Sequence, residues 1–104
     1  VHVETSGTEK YSGEFDWICL SPKRFKKPLE EYYYMANELK VIVYQDSDFR
    51  WAERISSKVK KDAVRILQPE WSVEKRINPK ILSYIKLNPN WRISLQTHKY
   101  LKVD

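Results

Sequence analysis

The 104-residue sequence predicts an α/β fold, with a mostly parallel sheet of about five strands and helices on one face. With so few strands, such a sheet forms part of a (β/α) barrel rather than a closed one. Three observations predict this. Short apolar runs alternate with helix-length amphipathic stretches. Turn residues separate them. Polar clusters follow the strands at their carboxyl ends, where parallel α/β folds meet their ligands. The order β-β-α-β-α-β-α-β then requires right-handed crossovers.

Val1-His2-Val3-Glu4-Thr5 reads as a short strand that stops at Ser6-Gly7-Thr8, with Gly7 supplying the turn. Residues 11–16 are too polar and too short for a helix and form a loop. Asp16-Trp17-Ile18-Cys19-Leu20 is the second strand, apolar on both faces, and Ser21-Pro22-Lys23 ends it because proline cannot donate to the ladder. Pro28 sits in the first-turn position of a helix over Leu29 to Asn37. Leu39 to Tyr44 is the third strand.

Asp46 or Ser47 caps a helix over about Asp48 to Lys60, with Phe49, Ala52, Ile55 and Val59 on one face. Val64 to Leu67 is the fourth strand, ending in Gln68-Pro69-Glu70-Trp71. Asn78-Pro79 starts a third helix that carries Ile81, Leu82 and Ile85 inward, and Asn88-Pro89-Asn90 breaks it. Trp91 to Leu95 alternates as the last strand and delivers the polar block Gln96-Thr97-His98-Lys99.

Composition narrows the function classes. A hydrophobic content of 41% with only 2 glycines excludes a disordered or low-complexity chain. The length allows one domain with one modest core. A net charge of +5 and an isoelectric point near 9.3 raise nucleic acid or phosphate as partners. The 14 acidic residues are mixed among the 19 basic ones, however, and the only dense basic run is Lys23 to Lys27. Cys19 is the single cysteine, which rules out an intrachain disulfide and fits a reducing compartment. No apolar run approaches the roughly 18 residues of a membrane span, so a soluble cytoplasmic protein is expected. The chain opens with Val1 already inside a strand, which reads as a fragment or as the loss of an upstream part.

The polar strand ends form a set. Glu4-Thr5-Ser6-Gly7-Thr8, Asp16 to Lys23, Glu38-Leu39-Lys40-Val41, Gln68-Pro69-Glu70 and Leu95-Gln96-Thr97-His98-Lys99 resemble, in order and spacing, the carboxyl-terminal half of 7-carboxy-7-deazaguanine synthase. The resemblance implies that residues 1–104 are the carboxyl-terminal portion of a radical S-adenosylmethionine partial-barrel domain. In that family, reductive cleavage of S-adenosylmethionine gives a 5′-deoxyadenosyl radical. The radical starts the conversion of 6-carboxy-5,6,7,8-tetrahydropterin to 7-carboxy-7-deazaguanine in queuosine and 7-deazapurine biosynthesis.

By that resemblance Ser21, Pro22 and Lys23 contact S-adenosylmethionine, a hydroxyl and an ammonium being suited to its ribose and carboxylate. Gln68, Pro69, Glu70 and Trp71 match a second cofactor segment. Glu4, His98 and Asp104 match substrate contacts, although Lys102-Val103-Asp104 departs from the usual chain ending. The family's C-x3-C-x2-C motif for the iron–sulfur cluster, its Gly-Gly-Glu motif and its magnesium-binding threonine have no counterpart here. The expectation is a chain that binds cofactor and a pterin-like substrate but does not turn over alone. Its partners are then the missing amino-terminal half or a second copy, with neither nucleic acid nor a membrane.

Plainer readings stand beside these. Glu4 alone would be a solvated carboxylate, Lys23 part of a solvated basic loop, and His2 an ordinary strand residue. Tyr32, Tyr33 and Tyr34 point around a helix as packing or interface residues, and Phe49, Trp51, Trp71 and Trp91 are core or edge. The whole chain could also be a non-catalytic remnant or binding module of the family. A small basic RNA-binding domain is the third alternative, and it would show strongly salt-dependent RNA binding without affinity for S-adenosylmethionine.

Overall fold

Period-two alternation in the strands decides the layering of this protein, seen in a computed structural model that describes residues 2–10 and 16–94. The elements are β1 (His2–Thr5), β2 (Trp17–Leu20), α1 (Glu31–Met35), β3 (Glu38–Val43), α2 (Ser47–Ser56), β4 (Val64–Pro69), α3 (Glu74–Leu87) and β5 (Trp91–Ile93), with a 3-10 turn at Trp71–Val73. The five strands form one sheet in the order β1-β2-β3-β4-β5, and every neighbouring pair is parallel. The expected α/β architecture is therefore present.

One face of the sheet is largely apolar. Leu20, Leu39, Val41, Val43 and Leu67 are fully buried there. Against them α1 packs Tyr32 and Tyr33, α2 packs Ala52 and Ile55, and α3 packs Ile77 and Ile81. At about 25 cal/mol per Å² of apolar area removed from water, this one-sided core is the main stabilising term. Register carries the alternation across strands. Val41 lies opposite Leu67, while Ile42 lies opposite Gln68 on the other face. That open face holds Glu4, Trp17, Cys19, Glu38 and Lys40. The helices cover one face, as expected. No helix of the described residues is long and apolar enough to cross a membrane.

Several boundaries differ from expectation for identifiable reasons. The first helix is only Glu31–Met35, and Pro28 lies before it. Leu29 N donates to Gly7 O at 2.7 Å, so this segment is tied to the turn after β1 rather than wound into the helix. Strand β4 runs on through Gln68 and Pro69. Glu70 N bonds Val43 O at 2.9 Å, which puts the missing N–H of Pro69 on the side where β5 has already ended. The second helix stops at Ser56, short of Lys60. The last strand is described only to Ile93.

The third helix starts at Glu74, four residues before Asn78, with Pro79 inside it. Proline there leaves the Lys75 carbonyl without its helical partner, and both residues are exposed, so water can take its place. The buried stripe is Ile77 and Ile81, one turn apart, and Leu82, expected inward, is 50% exposed. Asp46 stands at the N-cap position of α2, as expected, but its side chain makes no capping bond. Asp46 pairs with Lys80 at 2.8 Å, and Asp48 instead accepts from Tyr44 N at 2.8 Å and Gln45 N at 3.1 Å. Tyr32 and Tyr33 are core residues, whereas Tyr34 is exposed.

Gly7 has φ +76°, and a Cβ there would come within 2.7 Å of Pro28 Cβ and 2.8 Å of Leu20 Cδ1. Gly7→Ala is therefore expected to destabilise the protein by about 2 kcal/mol or more, read from the urea midpoint. A midpoint unchanged from the parent would show that the turn relaxes freely.

Candidate functional site

Five parallel strands bring five carboxyl ends to one edge of the sheet, and the candidate residues gather there. Ser21 follows β2 and is held beside β1 by Ser21 N to Thr5 O at 2.8 Å. Thr5 Oγ1 accepts from Gly7 N at 2.9 Å, which folds the chain back over this corner. A groove of about 420 Å³ results, with Glu4, Thr5, Thr8, Glu9, Ser21 and Lys23 among its lining residues. A second groove of about 460 Å³ lies on the other side of Ser21-Pro22-Lys23, toward Ile42, Tyr44, Gln45 and Asp48. Ser21 and Lys23 line both grooves.

The next strand ends are positioned by the register. Gln68 lies opposite Ile42 at the end of β4 and is only 8% exposed. No side-chain partner of Gln68 occurs among the described residues, so its amide is available to a ligand. Pro69 is buried as the last strand residue. Glu70 turns to its own loop, accepting from Ser72 N and Ser72 Oγ. Trp71 opens the 3-10 turn and is 58% exposed. Gln68 is thus the member of this segment with polar groups free toward the open face. His98 and Asp104, with Gln96, Thr97 and Lys99, lie outside the described residues.

Glu4 is held from the open face. Lys40 Nζ donates to Glu4 Oε1 at 2.7 Å, and the second oxygen of this half-exposed carboxylate is left for another donor. Two strands farther along, Glu38 accepts from Trp17 Nε1 at 2.9 Å and from Cys19 Sγ at 3.4 Å. Sequence reasoning assigned no role to Glu38 or Lys40. The signal was available, because Glu38, Lys40 and Ile42 alternate with the buried Leu39, Val41 and Val43.

The segment after Ser21 is fixed from α2. Arg24 reaches Ser47 Oγ at 3.1 Å and pairs with the buried Asp48, while its guanidinium lies 5.8 Å from the Trp51 ring centroid. Asp48 therefore serves two backbone N–H groups and one guanidinium. Asp48→Ala should cost about 3 kcal/mol, since it leaves those donors unsatisfied and the Arg24 charge unpaired. Chemical denaturation measures this, and a loss below about 0.5 kcal/mol would remove Asp48 as the anchor.

Burial, then the Glu38 carboxylate and its hydrogen bond, push the Cys19 thiol from 9.0 up to about 12. A neutral thiol that donates to Glu38 does not fit a cluster-ligating thiolate. No group of three His, Cys, Asp or Glu side chains converges as a metal site among the described residues. Cys19 should resist alkylation at pH 8 unless the fold opens. Its folded pKa lies above the unfolded one, so its effect on stability is constant below pH 9. Stability is then lost as pH rises from 9 toward 12, because the unfolded chain ionises first. Denaturation midpoints of the parent and of Cys19→Val across that window test this, and parallel slopes would refute it.

No family model matches the chain. Curated relatives do. The 7-carboxy-7-deazaguanine synthase of Flavobacterium psychrophilum is 52% identical over 103 residues, covering 99% of this chain and 49% of the relative. That of Synechocystis sp. shows the same identity and coverage. The crystal structure of QueE from Escherichia coli superposes with a TM-score of 0.75 at 28% identity, over 93% of this chain and 45% of that one. The chain spans about half the length of the curated relatives it matches. Over that span it belongs to the 7-carboxy-7-deazaguanine synthase family and corresponds to the carboxyl-terminal half of its members.

Proposed function

We propose that this chain is the cofactor- and substrate-binding half of a 7-carboxy-7-deazaguanine synthase of the radical S-adenosylmethionine type. In this reading the chain takes 6-carboxy-5,6,7,8-tetrahydropterin as substrate. One observation carries the reading: Ser21 and Lys23 stand between two grooves on the strand-end edge, with the Glu4 carboxylate on one side and the Gln68 strand end beyond the other. The donor set suits S-adenosylmethionine. Lys23 supplies an ammonium for its carboxylate, Ser21 a hydroxyl for carboxylate or ribose, and Gln68 an amide that reads ribose or adenine. Pro22 and Pro69 hold the two segments rigid, and Glu70 and Trp71 form the rim of the second.

When bound, S-adenosylmethionine supplies the radical chemistry of hydrogen abstraction. The chain's own residues bind and orient. Glu4 accepts from the amino and ring N–H donors of the pterin, and Lys40 fixes the carboxylate from behind. His98 and Asp104 complete the substrate contacts in this reading. The cysteines for the iron–sulfur cluster and the magnesium ligand come from outside these 104 residues, supplied by an amino-terminal half or by another chain.

Calorimetric titration tests the binding half directly. S-adenosylmethionine should bind saturably, and Lys23→Ala should weaken it at least about tenfold, the loss of one charge-assisted hydrogen bond. Glu4→Gln should leave that affinity intact while weakening the pterin. Saturable binding that survives Lys23→Ala and Ser21→Ala unchanged, or no binding at all, would sink the assignment. Pterin binding without cofactor binding would point instead to a non-catalytic module.

A further inference from the structure

A third cavity lies on the helix side of the Ser21–Pro28 segment, away from the Glu4 carboxylate and the open face. It measures about 410 Å³, within the range of small-molecule sites. Lys23, Arg24, Lys27, Arg54 and Lys58 line it, and among the described residues no carboxylate does. Arg24 is neutralised by Asp48, which leaves four cations around one concavity. Like charges gathered this way repel each other, so a fold keeps them at little benefit unless an anion joins them.

Aromatic rings sit among these charges. Phe25 is 98% exposed at the mouth of the cavity, an unusual place for a large apolar ring beside lysines. Trp51 forms a wall under Arg24, and Lys58 Nζ lies 5.5 Å from the Tyr33 ring centroid. Burial, then the Glu30 carboxylate, raise the Tyr33 phenol, which therefore stays a neutral hydroxyl able to donate.

We propose that this cavity is a nucleotide site, taking an oligophosphate chain on Lys27, Arg54 and Lys58 and stacking the attached base on Phe25. The assignment is independent of the function proposed above. S-adenosylmethionine carries a sulfonium cation and no phosphate, so it is the wrong ligand for these three cations. A purely anionic partner would use the lysines and arginine but would leave Phe25 without a role. Flat π-faces beside cations are what base stacking and phosphate pairing require together. Lys23 borders this cavity and both strand-end grooves, so an occupied nucleotide site would also bear on the Ser21–Lys23 segment.

The test is titration of the full chain with ATP, with inorganic tripolyphosphate and with an oligoglutamate peptide, followed by tryptophan fluorescence with Trp51→Phe as the reporter control. ATP should bind saturably and more weakly as salt rises. Lys27→Glu with Arg54→Glu, both on the surface, should weaken it roughly a hundredfold. Phe25→Ala should weaken ATP about tenfold and leave tripolyphosphate unchanged. Excess S-adenosylmethionine should not displace it. Circular dichroism of each variant establishes that the fold is intact. The proposal is overturned if ATP does not saturate, if the double variant binds as well as the parent, or if oligoglutamate binds equally. Displacement of ATP by S-adenosylmethionine would also overturn it, by making the two sites one.

Discussion

All five strands run the same way, and only one face of the sheet is buried by helices. The rest of the molecule depends on this pairing of constraints. One-sided burial sends every second strand residue into the core, where Leu20, Leu39, Val41, Val43 and Leu67 exclude solvent completely. The remaining strand positions are thereby released for polar groups, and Glu4, Glu38, Lys40 and Gln68 occupy them. Parallel direction then brings the last residues of each strand to a common edge. Neither constraint alone would assemble the site. Burial on both faces would exclude the carboxylates, and antiparallel pairing would scatter the strand ends to opposite edges.

Charge is handled differently on the two sides of the sheet. On the open face, acids and bases are matched within the sheet itself, as in the Lys40–Glu4 pair and the two donors on Glu38. On the helix side, Asp48 neutralises Arg24 while closing the turn between β3 and α2. Among the described residues, the neighbouring Lys23, Lys27, Arg54 and Lys58 receive no such acid from the cavity wall. The segment after β2 is consequently the electrostatic divide of the molecule, with matched polar groups on one side and unmatched cations on the other.

The architecture was legible in the sequence because strand alternation and helix stripes are local patterns. The element order, the parallel sheet and helices on one face all follow from them. Errors arose where a long-range contact overrode a local signal. Pro79 reads as a helix start, yet α3 begins at Glu74 because burial of Ile77 and Ile81 outweighs one lost hydrogen bond to an exposed carbonyl. Pro28 reads as a first-turn residue, but Gly7 O claims the following N–H. Asp48 escaped notice because its partners are backbone groups three and four residues earlier and an arginine 24 residues away. In the site, Ser21, Lys23, Glu4 and Gln68 came from motif order. The Lys40 and Glu38 contacts required the register of three strands.

The strand pairings are unequal in length. Among the described residues, β3 and β4 pair along Glu38–Val43 and Val64–Pro69, whereas β4 meets β5 over Arg65 to Leu67. Glu53 of α2 compensates by accepting from both Trp91 Nε1 at 2.9 Å and Tyr84 Oη, clasping β5 and α3 to the second helix through one carboxylate. Local opening should therefore be graded. Amides of β3 and β4 exchange with solvent only on global unfolding, while α3 and β5 leave and return together as one cooperative unit released through Glu53.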